Sequence, residues 1–254
     1  MPRPDGREPD ELRPVKITPD FIGTADGSAL IEMGRTRVVC TAIVQAGVKP
    51  WLRGQGKGWV TAEYGMLPGS SRQRIERPGP GRVNSRASEI SRLVGRALRA
   101  GMDLAALGEN TITIDCDVLE ADGGTRTASI TGGWVALARA VDAARRAGRL
   151  PAKAEILTAQ VVAVSAGLVD GMARLDLCYE EDSAAEVDVN VAMTAEGRLI
   201  EVQASGEEAT FTRPQLDRML MLATRGCRAL ALAQSKARKS ETRNPKPESS
   251  PKKQ

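Results

Sequence analysis

The chain has 254 residues, is 41% hydrophobic and only 3% aromatic, and carries a formal net charge of +4 with no histidine. That length allows one large domain or two small ones, with a core built mainly of Val, Leu, Ile and Ala. The missing histidine excludes Ser-His-Asp and Cys-His catalysis and argues against a zinc site, so any reaction must run on carboxylates, arginines, hydroxyls, a metal or the substrate's own groups.

The N-terminus has no apolar core of a secretory signal, and no apolar run reaches transmembrane length. Cys40, Cys116, Cys178 and Cys227 form no CxxC pair. A cytoplasmic protein with reduced thiols and no membrane partner is expected. Residues 12–18 read as a short strand, and residues 28–33 and 36–44 as a hairpin around Gly34 and Arg35. Residues 47–58 form a Gly/Pro/Lys-rich loop, and 58–64 return to extended structure. Residues 67–84, dense in Pro, Gly, Ser and Arg, predict a long loop, and such loops are usually functional or interfacial. A helix follows, with Ile90, Leu93, Val94, Ala97 and Leu98 on one apolar stripe and Asn84 or Ser85 as its cap. Arg86 lies four residues before Ile90 and so falls on the inward side of the first turn. A cation there opposes the helix dipole unless an anion sits between them.

The strand pattern Thr111-Ile-Thr-Ile-Asp-Cys-Asp-Val118 runs into the turn Asp117-Val-Leu-Glu-Ala-Asp-Gly-Gly-Thr-Arg-Thr-Ala-Ser-Ile-Thr131. Two glycines expose backbone N–H groups, a helix start adds partial positive charge, and Thr125 and Arg126 add a hydroxyl and a fork of donors. These parts suit a phosphate or another small oxyanion, although a plain Gly-Gly turn before a helix has the same local pattern. No GxxxxGK[ST] loop is present. The helix is expected from about Ser129 to Ala147, with Gly132 and Gly133 letting it pack close to a sheet. Strands are expected at 156–166 and 172–179. A further hairpin is expected at 187–193 and 199–203, with Asp188 and Asn190 sharing one face. Thr212, Pro214 and Gln215 form a capping box for a last helix ending near Gln234.

Charge is unevenly spread. Residues 235–254 hold seven Lys/Arg against two Glu, which leaves the body near −1. This basic, Ser/Pro-rich tail is expected to be disordered. Residues 72–99 hold eight Arg and two Glu, while residues 174–188 hold six acids and one Arg. The two segments form either one polarised site or two separate solvated surfaces. The element order predicts an α+β fold, with helices packed on mixed sheets and two loosely duplicated β/α halves. A single catalytic domain would span residues 1–234.

The chain resembles the ribonuclease PH family over roughly residues 2–234. The resemblance rests on Arg3-Pro-Asp-Gly-Arg7, on Gly56-Lys-Gly-Trp-Val-Thr-Ala-Glu-Tyr-Gly-Met-Leu-Pro68, on the run from Asp115 through Thr131, on Tyr179-Glu-Glu-Asp-Ser183 and on Val187-Asp-Val-Asn190. It implies phosphorolytic 3′→5′ trimming of tRNA precursors and other RNA 3′ ends, releasing nucleoside diphosphates and reversible to nucleotide addition. It also implies a homohexamer built from dimers. By the same resemblance Arg86, Gly124, Thr125 and Arg126 hold phosphate, and Asp182 and Asp188 hold Mg²⁺ (or Mn²⁺) or assist the leaving oxygen. Asp176 and Glu186 are the further acidic candidates, either supporting groups or surface residues. The loop bearing Arg72, Arg74 and Arg77 matches the region that builds the hexamer and contacts tRNA. The chain departs from the family at Gly69, where Arg is common, and Arg72 stands nearby. The residues fit this chemistry: phosphate is already an anionic nucleophile, so no histidine base is required, and the task is to bring two anions together. The competing readings are a non-catalytic RNA-binding ring subunit and a hydrolytic nuclease.

Overall fold

A computed structural model of the protein describes residues 3–77, 84–206 and 209–239. Strands β1 (Val15–Pro19), β2 (Gly27–Met33), β3 (Thr36–Ala46) and β4 (Trp59–Met66) precede helix α1 (Ser85–Arg99), a short helix α2 (Leu104–Leu107), strand β5 (Asn110–Glu120) and helix α3 (Thr125–Arg146). Strands β6 (Val161–Val169) and β7 (Met172–Leu175), the one-turn helix α4 (Tyr179–Asp182), strands β8 (Val187–Thr194) and β9 (Leu199–Gly206), and helix α5 (Arg213–Lys239) follow. The fold is α+β with two sheets, ordered β1-β2-β3-β5-β4 and β7-β6-β8-β9. All pairings are antiparallel except β4 with β5.

Helix α3 lies between the sheets, touching β2, β3 and β5 of the first and β6 and β8 of the second. From residue 125 to residue 141 only Arg126 and Arg139 escape burial. A helix covered on all sides keeps no solvent stripe. A Cβ on Gly132 would lie 2.7 Å from Ile31 Cγ2, so glycine there permits the close approach expected of it.

Several boundaries differ from the sequence reading. Helix α3 starts at Thr125, one turn early, because its hydroxyls bond back to the helix instead of breaking it. Thr127 Oγ1 donates to the Gly124 carbonyl (3.0 Å) and Ser129 Oγ to the Thr125 carbonyl (2.8 Å). Strand β6 starts at Val161, later than expected. Strand β7 stops at Leu175 because Asp176 takes a positive φ of 53°, and the acidic run 179–182 coils into α4. Helix α5 continues to Lys239, past the expected start of the tail. Its last turn docks on α3, where Ala237 is buried, Arg238 reaches Asp142 at 3.2 Å and its guanidinium lies over Trp134. Residues 240–254 and 78–83, parts of the expected tail and of the 67–84 loop, lie outside the described residues.

The segment before β1 ties the halves together. Arg13 donates from Nε (3.0 Å) and its backbone N (2.9 Å) to Asp176 Oδ2, and from Nη2 (2.7 Å) to Oδ1. It also donates to the carbonyls of Asp122 and Gly123. Arg3 clasps both oxygens of Glu181 at 2.8 Å, and Arg174 adds a third contact at 3.1 Å. All five side chains are buried. Such groups are costly to bury unless fully paired. Their geometry fixes where the second half sits against the turn at 121–124.

Two predictions follow from this contact between halves. Burial would raise the Glu181 carboxyl, but hydrogen bonds and charge from Arg3, with the Cys178 amide and Arg174, outweigh it and hold the pKa at about 2. The folded value is depressed, so the linked stability is full above the ordinary carboxylate value and is lost as pH falls through about 2. Urea denaturation at a series of pH values should show roughly 3 kcal/mol lost over that window. Glu181→Gln should remove that component of the pH slope and be less stable at neutral pH. The second prediction compares two glycines of similar φ. A Cβ on Gly123 (φ 76°) would stand 2.4 Å from the Leu177 carbonyl oxygen, whereas Gly148 (φ 70°) has open space. Gly148→Ala should cost about 1 kcal/mol for the left-handed backbone alone. Gly123→Ala should cost about 3 kcal/mol or more in the same assay, because backbone must also move.

Candidate active site

Strand β5 delivers the chain to a turn with two consecutive left-handed residues, Gly123 (φ 76°) and Gly124 (φ 67°), and α3 begins at once. The turn is held from below. Thr36 Oγ1 donates to the Gly123 carbonyl (2.7 Å) and accepts from the Asp122 N–H (3.0 Å), beside the Arg13 contacts. The Ala121 N–H bonds the Ser70 carbonyl (2.8 Å) on the arginine-rich loop, and the Tyr179 N–H reaches Asp122 Oδ1 (3.3 Å) from α4. Gly124 offers no side-chain cap, so the first N–H groups of α3 keep their affinity for an anion.

Thr125 and Arg126 open this helix. The Tyr64 hydroxyl, at the end of β4, shares a 2.9 Å hydrogen bond with Thr125 Oγ1, and both side chains are buried. Burial pushes the Tyr64 hydroxyl above its usual pKa, and the Thr125 bond and the charges of Arg86 and Arg126 only partly offset this. The tyrosine therefore stays protonated at neutral pH. Arg86 itself is exposed, not on an inward face as its spacing predicted. A lone cation loses several kcal/mol on leaving water, which favours the exposed placement. Its helix is capped by Asn84, which accepts from the Ala87 N–H at 3.0 Å.

Arg126 is half-buried and donates from Nη1 to Gln203 Oε1 (3.2 Å) on β9 and to Glu89 Oε1 (3.5 Å) on α1. Asp188 and Asn190 lie on one face of β8, joined by a 2.8 Å bond from Asn190 Nδ2 to Asp188 Oδ2. In register, Asn190 stands opposite Ser165 on one side and Gln203 on the other, so these polar side chains share a face. Asp182 is exposed at the end of α4. Asp176 gives both oxygens to Arg13, and Glu186 Oε1 accepts from the Gly171 N–H. Among the described residues no group of three or more His, Cys, Asp or Glu side chains could hold a metal ion. Asp182 and Asp188 are hard oxygen donors, the type Mg²⁺ takes one or two at a time while keeping water.

Arg72, Arg74 and Arg77 are all exposed. Arg72 approaches Glu180 of α4 at 3.7 Å, so the basic loop and the acidic segment touch. Asp115 and Asp117 of the β5 motif alternate with the buried Ile114, Cys116 and Val118 that pack towards α3, and so lie on the sheet's outer face. Burial, helped by Asp117, raises the Asp115 carboxyl. Sequence reasoning gave no role to Arg13, Tyr64, Glu201 or Gln203. The alternation in β9 does put Glu201 and Gln203 on one face, but no local chemistry singles them out.

The sequence and the fold resemble those of known proteins. The 3′ exoribonuclease family, domain 1, matches residues 11–141, and domain 2 of that family matches residues 159–226. The chain is 57% identical over 238 residues to ribonuclease PH of Saccharopolyspora erythraea, covering 93% of this chain and 94% of that protein. It is 57% identical over 236 residues to ribonuclease PH of Mycobacterium ulcerans, covering 92% and 91%. A chain of the Archaeoglobus fulgidus exosome with RNA bound to the active site superposes with a TM-score of 0.75 at 25% identity, over 90% of this chain and 91% of that one. Rice Rrp46 superposes with a TM-score of 0.71 at 20% identity, over 92% and 97%, a likeness of fold alone. Matches that span both sheets and the turn between them show that the chain belongs to the 3′ exoribonuclease family that includes ribonuclease PH.

Proposed function

We propose that the start of α3, with Gly124, Thr125 and Arg126, holds inorganic phosphate together with Arg86 for the reaction of this family. The chain is a phosphate-dependent 3′→5′ exoribonuclease, a nucleotidyltransferase acting on tRNA precursors. The observation that carries the assignment of residues is the Tyr64–Thr125 hydrogen bond, at a helix start without a side-chain cap.

A phosphate oxygen attacks the last phosphodiester, forming a new P–O–P link, and the bond from phosphorus to the 3′ oxygen of the preceding nucleotide breaks. The products are a nucleoside diphosphate and an RNA one residue shorter with a free 3′ hydroxyl. In reverse, a diphosphate donates its nucleotide and phosphate leaves. Arg86, Arg126 and the α3 N–H groups neutralise the nucleophile and so lower the repulsion between two anions. Tyr64 and Thr125 orient it. Asp182 and Asp188 would hold Mg²⁺ or Mn²⁺, which would stabilise charge on the scissile group and the departing 3′ oxygen. Asn190 steadies Asp188.

Arg72, Arg74 and Arg77 are assigned to RNA backbone contact and to the seam between copies in a homohexamer of dimers. Exposed Trp51, Met221 and Leu232 support further contact between copies. Gly69 has open space around it, so the family's arginine is absent there without a packing reason. Four buried, unbridged cysteines support a reducing, cytoplasmic setting. Among the described residues no helix is long and apolar enough to cross a membrane.

The test is a tRNA precursor with a short 3′ extension, incubated with Mg²⁺ with and without phosphate. Phosphate-dependent nucleoside diphosphates are expected, with a loss of about 10²–10³ in rate for Arg126→Ala and for Asp188→Asn. Monophosphates formed without phosphate would replace this reading with hydrolysis. RNA binding without product would replace it with a silent ring subunit. The basic residues after Lys239 should add salt-dependent RNA affinity, so removing 240–254 should flatten the salt slope of RNA binding. An unchanged slope rejects that role. A cut at 235 is unsuitable, because it removes the turn docked on α3.

A further inference from the structure

Arg126 is gripped by two acceptors of different character. Glu89 is an exposed carboxylate at 3.5 Å, the outer limit of a contact. Gln203 is a neutral amide at 3.2 Å, and it is not free to turn. Its Nε2 donates to Glu201 Oε1 at 3.1 Å. Glu201 in turn accepts a two-pronged clasp from Arg96 of α1, Nε to Oε2 at 2.8 Å and Nη2 to Oε1 at 2.9 Å. A carboxylate only accepts and a guanidinium only donates, so the amide between them has one satisfactory orientation, with oxygen towards Arg126.

We propose that Gln203, fixed by Glu201 and Arg96, is the positioning residue that holds the Arg126 guanidinium for incoming phosphate. The inference rests on the phosphate reading above. A neutral acceptor orients the guanidinium and leaves its full charge for the ligand, whereas a carboxylate in the same place would neutralise it and repel phosphate. Glu89 is the contact that phosphate displaces, because it is weaker, more exposed and competes for the same charge. Gln203 also stands opposite Asn190 in register, beside Asp188 on the same sheet face. One rigid strand pair thus sets the phosphate arginine relative to the acid assigned to the leaving oxygen. Aligning Arg126 before phosphate arrives spares the entropy of ordering a long side chain at the moment of binding.

The test is steady-state phosphorolysis against phosphate concentration at saturating RNA, with thermal unfolding measured in parallel. Gln203→Ala should raise KM for phosphate about tenfold while kcat, RNA affinity and unfolding temperature stay nearly unchanged. The near-isosteric Gln203→Glu should also raise KM at neutral pH, and the defect should shrink at lower pH as the new carboxyl protonates, which a purely structural role would not produce. An unchanged phosphate KM in both variants, with Arg126→Ala still raising it, overturns the role of Gln203 and leaves the phosphate site standing. Arg126→Ala without effect on either kcat or the phosphate KM overturns both.

Discussion

The buried pair of Arg13 and Asp176 is the constraint on which the rest of the molecule depends. One guanidinium reads both oxygens of an aspartate that follows β7 and two carbonyls of the turn that precedes α3. Asp176 is held in a left-handed conformation that non-glycine residues adopt uncommonly. That conformation ends β7 and starts the chain towards α4. The same arginine shapes the first half's turn and the second half's exit, so the geometry between halves follows from one group. Hydrophobic burial supplies the bulk of stability, but it is non-directional and could not set this register.

The proposed site lies at the junction because neither half alone supplies its parts. The first half brings the helix start, Tyr64 and Arg86, and the second brings Gln203, Asn190, Asp188 and α4. Helix α3, buried between two sheets, is the shared wall, and of its residues from 125 to 141 only the two arginines escape burial. Arg126 stays half open because its partners are polar groups at the sheet edge, not core side chains. A fully buried arginine would have been locked into an ion pair of the Arg3–Glu181 kind, with no charge left for a ligand.

The chemistry explains the composition. Phosphate arrives ionised, so general-base histidine is unnecessary, and the protein's work is to lower repulsion between anions. In the proposed site, arginines, backbone N–H groups and a helix dipole would do this without a general base. The buried Tyr64 fits the same scheme, since a hydroxyl kept protonated can orient an anion without repelling it.

Much of this was already written in the sequence. Helix stripes, the Asn84 cap, the Gly-Gly-Thr-Arg turn and the shared face of Asp188 and Asn190 are local patterns, fixed by residue spacing and backbone sterics within a few positions. The motif run made the family legible for the same reason. What local pattern could not give was any contact between distant segments. The last turn of α5 on Trp134, the commitment of Asp176 to Arg13 and the clasp of Arg96, Glu201 and Gln203 on Arg126 all join residues far apart in the chain. Arg86 shows the limit from the other side: its spacing placed it inward, but a solvated charge leaves water only for a partner. Periodicity decides which face a side chain takes, and only the tertiary fold decides what that face meets.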